Sequence, residues 1–186
     1  LAVGETLVAV LVVLAVVAYR GPLAIKIPDW GIGKTRGFPR LIVISGVVVF
    51  LLLLSGSYVT ITDAFGACSE WPQCLKGNPF PNQHLQVINM FHRYVAAGVG
   101  LFLLYSLHLG FRGRTQPLEI RIFSMAAVAL LVAQVLVGAG VVWADFSQDM
   151  RALHLAMATS VWIAVSALAV LTFSNPGIRW TGASNG

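Results

Sequence analysis

INMFHRYVAAGVG, residues 88–100, puts His92 and Arg93 side by side where an apolar run of membrane-spanning length begins. Hydrocarbon offers neither side chain a hydrogen-bond partner, so the fold has to supply one from elsewhere in the chain. The number of such runs, and the places where other polar residues fall along them, define the architecture that must do so.

The 186-residue chain is 58% hydrophobic and 10% charged, with a mean hydropathy of +0.82, far outside the range of an ordinary soluble domain. Apolar runs able to cross roughly 30 Å of hydrocarbon at about 1.5 Å per residue lie near residues 1–19, 41–61, 87–110, 122–144 and 152–173. The pattern predicts an all-α integral membrane protein with five transmembrane helices. Short or moderate loops join the last four runs, so a four-helix up-down bundle over 41–174 plus one extra N-terminal helix over 1–22 is the simplest packing. A transmembrane β-barrel would alternate polar and apolar residues in segments of about ten, and this sequence does not.

The net charge is +5, but the basic residues are not gathered into a patch interleaved with aromatics, so nucleic acid is not an expected partner. They sort by loop instead. Arg20, Lys26, Lys34, Arg36 and Arg40 fall between the first two runs, and Arg112, Arg114 and Arg121 around the third connection. The positive-inside rule then puts loops 20–40 and 111–121, with the C-terminal tail and its Arg179, in the cytoplasm. Loops 62–86 and 145–151 face outward. The expected location is the cytoplasmic (inner) membrane, multi-pass, with the cysteine loop on the outer side.

Both cysteines, Cys68 and Cys74, lie in that outer loop as CSEWPQC. On an oxidising side they can close a small disulfide ring, or remain two unpaired loop thiols. A zinc site is disfavoured, because His84 alone is nearby and four ligands are normally needed.

His92 and His154 both fall near the outer ends of their helices, at matched depth, on the second and fourth members of the bundle. One histidine on an apolar face is more often a packing residue, but a depth-matched pair on parallel helices can face across a core. Imidazole is a favoured ligand of haem iron, and two of them would clamp it from opposite faces. Gly98, Gly100, Gly138 and Gly140 remove bulk where a flat macrocycle would lie, although small residues also let membrane helices pack closely. Arg93 and Arg151, at the outer rim, match haem propionates or equally snorkel to lipid headgroups. His108 falls about 160° around the helix from His92 and near the opposite membrane face, so it cannot share the same iron. His84 is expected in the solvated loop.

The run SGSYVTITDAFGACSEWPQC, followed by FHRY at the head of the next helix and ALHLAMA two helices on, resembles the haem A synthase family over residues 41–174. That resemblance implies membrane enzymes that oxidise the C8 methyl of haem O to a formyl group, built of two homologous four-helix halves. In the family's catalytic half a glutamate precedes the first histidine by three residues, whereas here that place is Asn89. The chain is therefore similar to the C-terminal half, which implies haem b as cofactor, His92 and His154 as axial ligands of its iron, and Cys68 and Cys74 as the outer-loop pair. It implies no catalytic residue in this chain. Thr60 stands where the family commonly has an arginine.

Residues 1–22 align without gaps with residues 155–176, sharing Leu-Ala at the start, Leu-Ala-Val in the middle and Pro at the end. Since Leu155 follows His154, the alignment suggests that Leu1 follows the corresponding histidine of a preceding half, whose last helix is residues 1–22. A natural five-helix protein is the other reading. Glu5, one turn into that helix, is expected to be solvated at the interface. Residues 23–40 read as a cytoplasmic linker, and 175–186 as a flexible tail. The expected partners are the preceding half or a second copy, haem O as substrate of the intact enzyme, and a larger membrane complex. Two further classes use the same residues. One is a non-catalytic pigment-binding or structural subunit of a respiratory or photosynthetic complex. The other is a b-type electron carrier, which would usually need a second matched histidine pair.

Overall fold

A computed structural model of the chain describes residues 1–20, 37–76, 80–112 and 116–173. Among these, five helices follow in order: α1 Ala2–Arg20, α2 Phe38–Ile61, α3 His84–Arg112, α4 Leu118–Trp143 and α5 Gln148–Phe173, with a short 3-10 turn, Ala64–Ala67, after α2. Each of the five is long and apolar enough to cross a membrane. Most of the expected linker and all of the tail lie outside the described residues, as do Lys26, Lys34, Arg36, Arg114 and Arg179.

The last four helices start three or four residues before the apolar runs that predicted them. Hydropathy marks where a helix can meet lipid, but backbone hydrogen bonding continues through polar first turns such as His84–Gln86 and Gln148–Asp149. His84, expected in a loop, is accordingly the exposed first residue of α3. Pro39 in the first turn of α2 and Pro117 immediately before α4 sit where a missing N–H breaks no helical bond.

Helix α2 packs on α3, α3 on α4, α4 on α5 and α5 back on α2, which closes a four-membered up-down ring. Its apolar core is unevenly filled. Ile42, Val49 and Leu53 of α2, Leu103 and Leu107 of α3, Ile120 and Ala127 of α4, and Val161, Val165 and Leu168 of α5 form one buried cluster. Most lie toward the end remote from the cysteine loop, with Val49, Leu53 and Val161 reaching the middle of the bundle. Toward the cysteine loop, residues 91–102, 128–138 and 148–160 contain no fully buried side chain.

Helix α1 stands outside the ring, against α5. Glu5, expected at a solvated interface, is instead 4% exposed. Its Oε1 accepts a hydrogen bond from Thr159 Oγ1 (2.7 Å), and its backbone carbonyl accepts one from Trp162 Nε1 (2.8 Å). The interfacial expectation fails because α5 covers Glu5 and gives one carboxylate oxygen a donor in Thr159, while Oε2 is buried without a hydrogen-bond partner among the described residues. At the other end of α1, Arg20 pairs with Glu119 of α4. Thr159→Val deletes the side-chain donor while keeping its shape. It is expected to cost about 1 kcal/mol, read as a lower denaturation midpoint of the detergent-solubilised protein, with Thr159→Ser retaining most of the wild-type stability.

Candidate functional site

His92 lies roughly two turns into α3, where its ring meets α2. Its Nδ1 is 2.8 Å from Ser55 Oγ, and Ser55 in turn donates to the carbonyl of Leu52 at 2.7 Å. The next residue, Gly56, leaves room for the imidazole: a Cβ there would stand 3.1 Å from His92 Cε1. On the other side of the ring, α5 and α4 repeat the arrangement. A Cβ on Gly138 would stand 3.0 Å from His154 Cε1, and Gln134, one turn earlier on the same face of α4, places Nε2 at 3.4 Å from His154 Nε2. Each imidazole thus rests on a glycine of the preceding helix and beside one polar side chain of that helix. Larger residues at 56 or 138 would drive the rings out of place.

His92 on α3 and His154 on α5 stand on alternate members of the ring. They border the part of the bundle that lacks fully buried residues. On α3, Gly98 is exposed and Gly100 half-buried, and a Cβ added to either would meet nothing within 4 Å, so neither glycine serves helix contact. The two differ from Gly138, which packs against a histidine. The buried Nδ1 of His154 and Oε1 of Gln134 have no hydrogen-bond partner among the described residues. A separate cleft, lined by Ala15, Phe123 and Leu171 with the Arg20–Glu119 pair, lies near the opposite end and contains no histidine.

The cysteine-loop end is closed by contacts between the two loops there. Phe65 and Phe146 rings are 6.4 Å apart, Trp71 meets Trp143 edge-on at 5.9 Å, and the Arg151 guanidinium lies 4.3 Å over the Phe65 ring. Arg151 Nε is buried without a hydrogen-bond partner. Arg93 is engaged differently: its Nη1 donates to the carbonyls of Glu70, Pro72 and Gln73 at 2.6, 3.3 and 2.9 Å. It therefore holds the loop that Cys68 and Cys74 close by a disulfide. Both cysteines are fully buried and pack with Met90 of α3.

Asn89, one turn before His92, is 6% exposed, and its Nδ2 donates to the carbonyls of Ala64 (2.8 Å) and Phe65 (3.1 Å). The amide ties the 3-10 turn, and with it Phe65, to α3. A carboxylate at this position could only accept, and would face two carbonyl oxygens. Thr60 is exposed and bonds back to the carbonyl of Gly56 within its own helix. His108 is exposed and meets Phe111 edge-on at 5.1 Å, near the end of α3 opposite to His92. The sequence did not single out Ser55, Gly56 or Gln134. The available signal was polarity: Gln134 interrupts an otherwise apolar span, and a polar residue there points to an inward face.

No family model matches the chain. It is 32% identical over 145 residues to a haem A synthase of Shouchella clausii, covering 76% of this chain and 48% of that protein. It is also 32% identical over 136 residues to one of Alkalihalophilus pseudofirmus, covering 72% and 46%. A protoheme IX farnesyltransferase of Haloarcula marismortui is 38% identical over 87 residues, which is 45% of this chain and 19% of that protein. The chain spans about half the length of the haem A synthases it matches.

Asn89→Asp replaces two donated hydrogen bonds by repulsion between oxygens. It should lower stability by about 2 kcal/mol or more, measured by thermal denaturation in detergent, and Asn89→Ala should cost less. The disulfide predicts a second observation. Thiol alkylation of unreduced protein should modify neither Cys68 nor Cys74, reduction should expose both, and removal of the bridge should destabilise the protein by about 2 kcal/mol.

Proposed function

Because the chain belongs to the haem A synthase family, we propose that its bundle is the cofactor half of such an enzyme, holding a haem b between His92 and His154. The observation that carries this reading is the pair of imidazoles, each seated on a glycine of the neighbouring helix and bordering the part of the bundle that is not filled with apolar side chains. Among the described residues no three or more histidine, cysteine, aspartate or glutamate side chains converge. Two imidazoles are thus a ligand set suited to a metal that brings its equatorial ligands in a macrocycle. Arg151 Nε, buried without a hydrogen-bond partner among the described residues, is a donor suited to a propionate. The residues fit the group.

A bound haem would supply an iron able to take up and pass on one electron. The protein's own part is to hold both ligating nitrogens in place and to limit access from the loop end. The Phe65–Phe146 and Trp71–Trp143 contacts, steadied by Asn89 and Arg93, serve that closure. Oxidising a haem methyl also needs a group that manages protons beside the substrate. Asn89 does not titrate near neutral pH, and its donors are already engaged. The oxidation of haem O to haem A therefore belongs to a preceding homologous half, or to a second copy, docked through α1.

A second reading, a haem-holding module serving a different enzyme, is favoured by the similarity to the farnesyltransferase of Haloarcula marismortui. A haem A synthase and a protoheme IX farnesyltransferase have a haem in common, which supports haem handling as the shared element. For orientation, Arg20, Arg40, Arg112 and Arg121 stand at the end of the bundle remote from the disulfide. Basic residues favour the cytoplasmic side and disulfides the oxidising one. Both support a cytoplasmic membrane protein with its cysteine loop outside and its C-terminus inside.

Purified protein should show the absorption spectrum of a low-spin haem. His92→Ala and His154→Ala should each abolish it, while His108→Ala keeps it; an unchanged spectrum in either of the first two ends the assignment. The 186-residue chain supplied with haem O should yield no haem A by chromatography of the extracted pigment. Formation of haem A by this chain alone would return catalysis to this bundle.

A further inference from the structure

The surroundings of His92 and His154 match in shape but not in hydrogen bonding. Ser55 carries a single hydroxyl hydrogen, and its 2.7 Å contact with the carbonyl of Leu52 requires that hydrogen, because a carbonyl cannot donate. The 2.8 Å contact between Ser55 Oγ and His92 Nδ1 must then be donated by the ring. The chain of bonds runs from His92 Nδ1–H to Ser55 Oγ and from Ser55 O–H to the Leu52 carbonyl, which leaves Nε2 as the lone-pair nitrogen. His154 has no equivalent acceptor. Its Nδ1 is buried without a partner, and it is Nε2 that lies beside the Gln134 amide.

We propose that Ser55 is a positioning residue that fixes His92 as the Nδ1–H tautomer with Nε2 presented to the core, so that His92 is the preset ligand and His154 the adaptable one. The proposal rests on the haem reading for its consequence, but not for the tautomer, which the haem-free protein already contains. An acceptor on the far nitrogen of an imidazole both fixes ring orientation and strengthens electron donation from the ligating nitrogen. With haem bound, stronger donation through His92 favours the ferric state and lowers the midpoint potential. His154 gains no such support and must first part from Gln134 before its Nε2 can serve.

Two measurements test this separately. In haem-free protein labelled with 15N-histidine, with the His92 signals assigned by their loss in His92→Ala, the ring should be predominantly Nδ1-protonated. Ser55→Ala should mix the two tautomers, and Ser55→Thr, which keeps the hydroxyl, should restore the Nδ1–H form. A wild-type His92 protonated at Nε2, or a tautomer unaffected by Ser55→Ala, overturns the proposal whether or not haem binds. In haem-loaded protein, Ser55→Ala should keep the low-spin spectrum and raise the midpoint potential, with Ser55→Thr near wild type. An unmoved potential overturns the claimed consequence. If wild-type protein takes up no haem, the haem reading fails, and the tautomer measurement still decides the role of Ser55.

Discussion

A polar atom inside a hydrocarbon layer must find its partner within the protein, because the solvent there offers none. That constraint orders most of what is specific in this chain. Leu, Val and Ala make the five helices interchangeable as far as lipid is concerned, and apolar side chains alone would let them rotate and slide. The polar residues do not permit this. Glu5 finds Thr159 and Trp162, His92 finds Ser55, and Asn89 finds two carbonyls of the 3-10 turn. Each bond is modest in strength, but each fixes the rotation of one helix against its neighbour.

The bundle is consequently divided along its length. Toward the basic end, interlocked aliphatic side chains from all four helices form a core that needs nothing further. Toward the disulfide, the same four helices present glycines, two histidines, a glutamine and a serine, with no fully buried residue over long stretches of α3, α4 and α5. The loops above compensate: the disulfide shortens one, Arg93 gathers three of its carbonyls under one nitrogen, and aromatic contacts join it to the other. A rigid lower core and a tied upper rim are what hold the less filled part open. Stability and site are therefore supplied by different residues, and substitutions in one part should be separable from those in the other.

Membrane class, the number of spans, their order around the bundle and the cysteine pair were all legible in the sequence, because length, hydropathy and spacing determine them. The depths of His92 and His154 were legible for the same reason, since depth follows from position along a helix. Rotation was not. Whether His92 faces Ser55, or Glu5 faces lipid or α5, depends on how neighbouring helices turn about their axes, and nearly uniform apolar spans carry little amphipathic signal. Gly56 and Gly138 illustrate the limit. Their use lies in what a neighbouring helix brings against them. In the sequence Asn89 stood out only as an amide that does not titrate. Its positive role as a donor to two carbonyls needed the turn to be seen.

The contact between Glu5 and Thr159 adds a step that neither sequence nor structure supplies alone. In the gapless alignment of residues 1–22 with 155–176, Glu5 and Thr159 are equivalent positions, and they are the two side chains that meet. When two copies of an element pack about a two-fold axis, the position that touches its own equivalent lies on that axis. Helices α1 and α5 run in the same direction, since Glu5 lies beside the first half of α5 while Arg20 reaches the start of α4. An axis relating two parallel helices would run along them and not across them. The residues on it differ in a useful way. Two glutamates would oppose acceptor to acceptor, whereas glutamate against threonine supplies one acceptor and one donor.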